Sequence, residues 1–220
     1  MVLMRQMRNV VSVTAAAFTL LLTPAPPVAV AEACPEVEVI FARGRIEPAG
    51  PGLVGEAFVN ALRGKTSKVI DYYAVDYPAD IEVVQGANDM SRRIQYMASS
   101  CPNSRLVLGG YSLGAAVTDV VLAAPSPIFG YVNPLPLGMT DKVAAVALFG
   151  NGTRKVFGPV SDVSPLWGDK TIDLCTADDP ICNNNMDPNT WLGNWGSHLQ
   201  GSYIDSGLVD QAAAFVAARL

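Results

Sequence analysis

The chain has 220 residues, of which 50% are hydrophobic and 16% are charged, and its net charge is −5. This acidic balance argues against nucleic acid or anionic lipid as the main partner, because either would require a basic patch. A single histidine excludes a zinc site built from several histidines. The length is typical of one domain and is sufficient to bury a sizeable core.

The N-terminal residues predict a secretory signal peptide over 1–31. Two arginines precede a short apolar run over 10–22, and a Pro-rich stretch then leads to the cleavage pattern Ala29-Val30-Ala31. Cleavage after Ala33 fits the same pattern. We therefore expect a secreted, extracellular protein with a mature domain over 32–220, and retention at the cell wall is left open.

Beyond the signal, apolar runs alternate with segments of helical spacing. Strands are predicted at 37–42, 69–75, 105–109, 143–149 and 170–174. Helices are predicted at 54–62, 88–100, 113–123 and 207–220, with a Pro-rich loop at 124–138. This alternation predicts a single α/β domain with a mostly parallel sheet that helices cover on both faces.

The pentapeptide Gly110-Tyr111-Ser112-Leu113-Gly114 matches the pattern G-x-S-x-G. It follows a predicted strand and opens a predicted helix, which is the context that this pattern requires. Glycines two positions either side of the serine avoid collisions in the sharp turn. The N–H groups at the start of the helix favour negative charge at the reacting centre. The sequence therefore predicts Ser112 as a nucleophile.

A serine nucleophile needs a base, usually histidine, that a carboxylate orients. His198 is the only histidine, and it lies in a polar, Gly-rich loop before the last predicted helix. The acid is expected between Ser112 and His198 in the chain, where eight aspartates lie. Asp178 and Asp179 are preferred, since both follow the fifth predicted strand, but this reasoning does not choose between them.

Four cysteines in an exported protein favour two disulfides, with three pairings open. The short spacing of Cys175 and Cys182 favours a local loop around the preferred aspartates. Cys34 and Cys101 would then close a long loop.

Apolar residues in two loops are candidates for a substrate rim. Trp191 and Trp195 lie shortly before His198, and Leu135 lies in the Pro-rich loop. They form an apolar rim if both loops flank Ser112, and packing of the loops onto the body is the equal alternative.

Taken together, these residues resemble the cutinase family, in particular the secreted cutinase-like proteins of mycobacteria. The resemblance covers Cys34 to Leu220. The segments that carry it are the pentapeptide around Ser112, Cys175–Cys182, Ser197-His198-Leu199, Phe41-Ala42-Arg43-Gly44 and Cys101-Pro102-Asn103. It implies a lidless, single-domain α/β-hydrolase with a five-stranded parallel sheet and the disulfides Cys34–Cys101 and Cys175–Cys182.

The family pattern C-x-x-x-D-x-x-C implies Asp179 as the acid of a triad with Ser112 and His198. The resemblance also implies the backbone N–H groups of Leu113 and Arg45 as oxyanion donors. Both residues depart from the family, which usually has Gln at the first position and Ser or Thr at the second. With Arg45 in place of Ser or Thr, the side-chain hydroxyl is lost as an oxyanion donor. Loss of one such donor typically lowers the rate by about 10²–10³.

The resulting expectation is a secreted serine esterase for short to medium acyl chains, acting on an ester or lipid substrate through an acyl-enzyme. No cofactor, metal or nucleic acid partner is expected, and the protein is expected to be a monomer with transient contact to a lipid surface. An acyltransferase is left open. The alternative is a weakly active or inactive binding protein on the same scaffold.

Overall fold

The computed structural model describes residues 34–183, 188–190 and 192–220. The predicted signal peptide and Trp191 lie outside these ranges. Across the described part of the chain, no helix combines the length and apolarity that crossing a membrane requires.

A five-stranded parallel sheet with the order β2-β1-β3-β4-β5 forms the centre of the domain, as predicted. The strands are β1 (Val37–Ala42), β2 (Ile70–Ala74), β3 (Arg105–Tyr111), β4 (Val143–Phe149) and β5 (Thr171–Leu174). The strand β3 continues two residues beyond its predicted end, because Gly110 still pairs with β1 and Tyr111 with β4. The sheet therefore extends to the residue before Ser112.

Helices cover both faces of the sheet. The longer ones are α1 (Gly52–Arg63), α2 (Val83–Ser100), α3 (Leu113–Ala123) and α8 (Leu208–Ala217). On one face α1 and α8 pack Phe58 and Val216 against Phe41 and Phe149 of the sheet. On the other face α2 and α3 pack against the opposite side chains of the same strands. The predicted covering of both faces is confirmed.

The helix α2 begins five residues before its predicted start. The Asp80 carboxylate accepts hydrogen bonds from the N–H groups of Ile81 and Glu82, which turns the chain just before the helix. Val83 and Val84 then pack against the core, so the first turn is held by tertiary contacts.

Short helices connect the last strands and lead to the C-terminal helix. These are α4 (Arg154–Phe157), α5 (Val160–Val163), α6 (Pro165–Gly168) and α7 (Gln200–Asp205). A helix of four residues spans about one turn, so it leaves no apolar periodicity in the sequence. The sequence analysis accordingly predicted none of them.

Two disulfides pair Cys34 with Cys101 and Cys175 with Cys182. The first joins the segment before β1 to the end of α2. In the chain-entropy model, closing this long loop stabilises the fold by about 4 kcal/mol. The second closes a loop directly after β5, and its effect on the site is local.

Candidate active site

The turn between β3 and α3 holds Ser112 in a left-handed backbone, with φ of 54° and ψ of −116°. A residue other than glycine keeps such a conformation only where its surroundings enforce it. A Cβ at Gly110 would collide with the carbonyl of Gly114, and a Cβ at Gly114 would collide with the carbonyl of Ala42. The two glycines are therefore what allows the turn to be this tight.

Ser112, His198 and Asp179 form a continuous hydrogen-bonded series. Ser112 Oγ lies 2.8 Å from His198 Nε2, and His198 Nδ1 lies 2.7 Å from Asp179 Oδ2. In the tautomer with the proton on Nδ1, the ring donates to Asp179 and accepts from the Ser112 hydroxyl. Asp179 is fully buried, whereas Asp178 is exposed. The structure thus brings together the three residues that the family resemblance implied.

The disulfide-closed loop after β5 holds the Asp179 carboxylate. Its Oδ1 accepts hydrogen bonds from the N–H of Ile181 at 2.6 Å and of Cys182 at 3.4 Å. Its Oδ2 accepts from the Tyr203 hydroxyl as well as from His198. Burial opposes the charge of this carboxylate, but the hydrogen bonds from His198 and Tyr203 outweigh burial and lower its pKa. Asp179 is therefore a buried anion with several donors.

Two buried tyrosines support the histidine and the acid, and the sequence analysis did not assign either a role. The Tyr111 hydroxyl donates to the carbonyl of His198, and the two rings stack with centroids 5.6 Å apart. The Tyr203 ring lies edge-on to Tyr111 at the same distance. Burial raises the pKa of both phenols, so both remain neutral donors. No local pattern links Tyr203 to Asp179, because the contact arises only when α7 packs beside the loop.

A cavity of about 550 Å³ opens above Ser112 and His198. Trp195 and both predicted oxyanion residues, Leu113 and Arg45, line it. Its apolar lining residues are Ile46, Leu113, Ala116, Ile181, Trp195 and Leu199. This lining suits an acyl chain placed next to the serine hydroxyl.

Leu135 lies elsewhere, which corrects its assignment to the substrate rim. It packs against the core cluster of Val121 and Trp167, and it lines a different cavity of about 230 Å³ with them. It is not among the described residues that line the cavity above Ser112. An apolar loop residue carries the same sequence signature whether it faces the core or a substrate.

A buried polar cluster supports the cavity wall at Gly152 and Thr153. The Asn151 amide donates to Asp119 at 2.9 Å and to Asp173 at 3.1 Å, and the Thr153 hydroxyl also donates to Asp119. Burial raises the pKa of Asp119, and it raises that of Asp173 to about 6. Asp119 of α3 and Asp173 of β5 both accept from the Asn151 amide, so the two carboxyl groups lie close enough for their charges to interact.

A parallel sheet that ends in a tight serine turn, with a histidine and a buried acid in line, defines the α/β-hydrolase class. Solved structures share this fold. The cutinase of Trichoderma reesei in complex with a phosphonate inhibitor is 30% identical, with a TM-score of 0.64, covering 84% of this chain and 76% of that one. The catalytic core domain of acetyl xylan esterase from the same organism is 27% identical, with a TM-score of 0.67, covering 86% and 100%.

The chain belongs to the cutinase family, since the family model described as Cutinase matches residues 33–220. It is 58% identical over 212 residues to the probable carboxylesterase Culp2 of Mycobacterium tuberculosis, covering 93% of this chain and 91% of that protein. It is 48% identical over 219 residues to the phospholipase Culp4 of the same organism, covering 98% and 92%. The resemblance seen in the sequence is thereby confirmed.

The first prediction concerns stability and pH. Burial raises the pKa of Asp173 from 3.8 to about 6. The protonated Asp173 therefore contributes to the free energy of unfolding fully below about pH 4, and this contribution is lost as the pH rises through about 6. The corresponding change in the free energy of unfolding is at most about 3 kcal/mol. We expect Asp173→Asn to gain stability relative to the wild type between about pH 4 and pH 8, measured by urea unfolding.

The matched control is Asp71→Asn, because Asp71 is exposed on β2. Its stability difference from the wild type should stay constant over the same pH range. A constant difference for Asp173→Asn as well would contradict the prediction.

The second prediction concerns Tyr203. Tyr203→Phe removes a donor to a buried carboxylate, and a hydrogen bond to a charged group contributes about 1.5–3 kcal/mol. We expect kcat on p-nitrophenyl butyrate to fall about 10-fold or more, with KM changed little, because Asp179 then orients His198 less firmly.

Tyr73→Phe is the control, since the Tyr73 hydroxyl donates to Asp89 at 3.0 Å from the sheet-edge strand β2. It should lower the melting temperature without lowering kcat. Equal losses of kcat in the two variants would refute a positioning role for Tyr203.

Proposed function

We propose that the protein is a secreted serine esterase that hydrolyses carboxylic esters with short to medium acyl chains. The observation that carries the proposal is the hydrogen-bonded series of Ser112, His198 and Asp179 at the base of an apolar cavity. The relative named a probable carboxylesterase supports a carboxylic ester as the bond cleaved, and the relative named a phospholipase supports a lipid as the substrate.

The proposed reaction passes through an acyl-enzyme. Ser112 Oγ attacks the ester carbonyl carbon while His198 Nε2 takes the hydroxyl proton. The tetrahedral intermediate then collapses, the bond to the alcohol oxygen breaks, and His198 returns the proton to the leaving alcohol. Water repeats the sequence against the acyl group and releases the carboxylic acid and free Ser112. Asp179 stabilises the imidazolium throughout.

Backbone donors complete the mechanism. Leu113 is the first residue of α3, and the first N–H groups of a helix have no acceptor within it. In the proposal, the N–H groups of Leu113 and Arg45 donate to the oxyanion that forms on the carbonyl oxygen. The change from Gln to Leu at position 113 leaves its backbone donor in place.

The third prediction tests the nucleophile. Ser112→Ala should lower the initial rate on p-nitrophenyl esters by at least about 10⁴-fold, because His198 then has no hydroxyl to activate. A fluorophosphonate should add once to the wild type, at Ser112, and not to the variant. Rates from acetyl to palmitoyl esters give the preferred chain length.

Ser99→Ala is the control, because the exposed Ser99 hydroxyl donates only to the Tyr96 carbonyl on α2. It should keep wild-type rates. Full activity in Ser112→Ala would eliminate the proposed mechanism. A wild type without turnover and without the adduct would favour a binding protein on this scaffold.

We also propose that residues 1–31 direct export and that 32–220 is the mature domain. The two disulfides support this, since such bonds persist in oxidising compartments.

The fourth prediction is that expression of the full chain in a mycobacterial host releases a protein beginning at Glu32 or Cys34, as found by mass spectrometry of the medium and the cell wall. An intact N-terminus confined to the cytoplasm would rule it out.

A further inference from the structure

Two arginines of the segment after β1 have opposite environments. Arg43 is buried and donates to the carbonyls of Glu47, Val75 and Tyr77. It is fully engaged in holding the segment. Arg45 is exposed and lines the cavity above Ser112, and it takes part in none of the ion pairs found among the described residues.

The backbone that carries Arg45 is fixed on both sides. The Glu47 carboxylate accepts hydrogen bonds from the N–H of Gly44 at 2.6 Å and of Leu53 at 3.0 Å. Ile46 has a φ of 59°, and its N–H donates to the Ala79 carbonyl at 2.6 Å. These contacts occupy both oxygens of the Glu47 carboxylate, which holds the loop. Glu47 is the acidic residue nearest to Arg45 along the chain, and it forms no ion pair with Arg45. The guanidinium is thus presented from a pre-organised loop.

The remaining described lining of the cavity contains no carboxylate. Asp179 contacts His198 Nδ1, on the far side of the ring from Ser112, and its two oxygens accept hydrogen bonds from Ile181, Cys182, Tyr203 and His198. Arg45 is therefore the one arginine, lysine or acidic side chain among the described residues that line the cavity. A guanidinium favours carboxylate and phosphate groups, because two oxygens of either anion can accept parallel hydrogen bonds from its planar fork.

We propose that the Arg45 side chain determines specificity by binding an anionic group, a carboxylate or a phosphate, that the ester substrate itself carries. The inference rests on the proposed esterase function and specifies its substrate class as anionic amphiphilic esters. The apolar lining takes the acyl chain, and the guanidinium takes the anion beside it. The backbone N–H of Arg45 keeps its separate role toward the oxyanion.

The experiment compares pairs of soluble esters that differ in one anionic group, a carboxylate in the first pair and a phosphate in the second. The first pair places the charge on the acyl side: p-nitrophenyl glutarate monoester against p-nitrophenyl butyrate. The second places it on the alcohol side: dibutyrylglycerol 3-phosphate against dibutyrylglycerol. All four are used as monomers, so that binding to an interface does not contribute. The quantity measured is the ratio of kcat/KM for the charged and neutral members.

We expect Arg45→Gln to lower this ratio about 10-fold for at least one pair, because the substrate anion loses its charged donor. Arg45→Lys should keep part of the preference, since it retains the charge but not the planar fork. It also supplies a readout should the Gln variant lose turnover on both esters. In the wild type the ratio should fall as salt is raised. The pair that responds shows whether the anion lies on the acyl or the alcohol side.

The control is Arg92→Gln, which changes the net charge equally but at a residue of α2 whose side chain is 60% exposed and outside the cavity lining. Its ratios should match those of the wild type. Unchanged ratios in Arg45→Gln for both pairs, or an equal shift in Arg92→Gln, would overturn the inference while leaving the esterase proposal intact. If none of the four esters showed Ser112-dependent turnover, the esterase proposal itself would be overturned.

Discussion

The tight turn at Ser112, where φ is 54°, requires glycine on both sides, because a Cβ at Gly110 would collide with the Gly114 carbonyl and a Cβ at Gly114 with the Ala42 carbonyl of β1. Such a conformation costs about 1–3 kcal/mol and persists only where the surrounding structure enforces it. Here the enforcement comes from β3, which pairs with β1 and β4 up to the residue before the serine, and from the Ser112 N–H, which donates to the Phe149 carbonyl at 2.8 Å. The position of Ser112 is thus a property of the whole sheet, and the loops that carry His198 and Asp179 need only reach this one edge.

The buried aspartates of the site show how environment assigns roles to one residue type. Asp179 receives hydrogen bonds from two backbone amides, a phenol and the imidazole, and its pKa is lowered although it is fully buried. Burial raises the pKa of Asp173 to about 6, because the Arg154 charge and the Asn151 hydrogen bond only partly oppose it and the nearby Asp119 adds to the rise. The first is therefore fitted to remain charged beside an imidazolium, whereas the second gains stability when it is neutral.

The sequence predicted those features that local sequence determines, namely the strands and the turn at Ser112. Apolar runs located all five strands, because both faces of a parallel sheet are buried, and the pentapeptide located Ser112 through its strand and helix. Choosing Asp179 over Asp178 needed the family pattern, since adjacent aspartates look alike in sequence and only the structure shows that Asp179 is buried and bonded to His198. Tyr203 could not be assigned a role, because its partner Asp179 is 24 residues away and meets it only through tertiary packing. The assignment of Leu135 to the substrate rim was wrong because tertiary packing also decides which cavity a loop residue lines.

In the proposed reaction the charge of Arg45 would act on two different groups, the oxyanion and an anion on the substrate, so a single rate does not separate the two effects. A cation near the serine stabilises the developing oxyanion of every ester, charged or neutral, which can offset the hydroxyl donor that this position lacks relative to the family. A contact with an anion on the substrate acts only on esters that carry one. The first effect would therefore cancel in the ratio of two esters that differ only by the anionic group, and the second would remain. Arg43, two residues earlier, shows the converse case: a buried arginine that donates to three backbone carbonyls holds the loop and does not line the cavity.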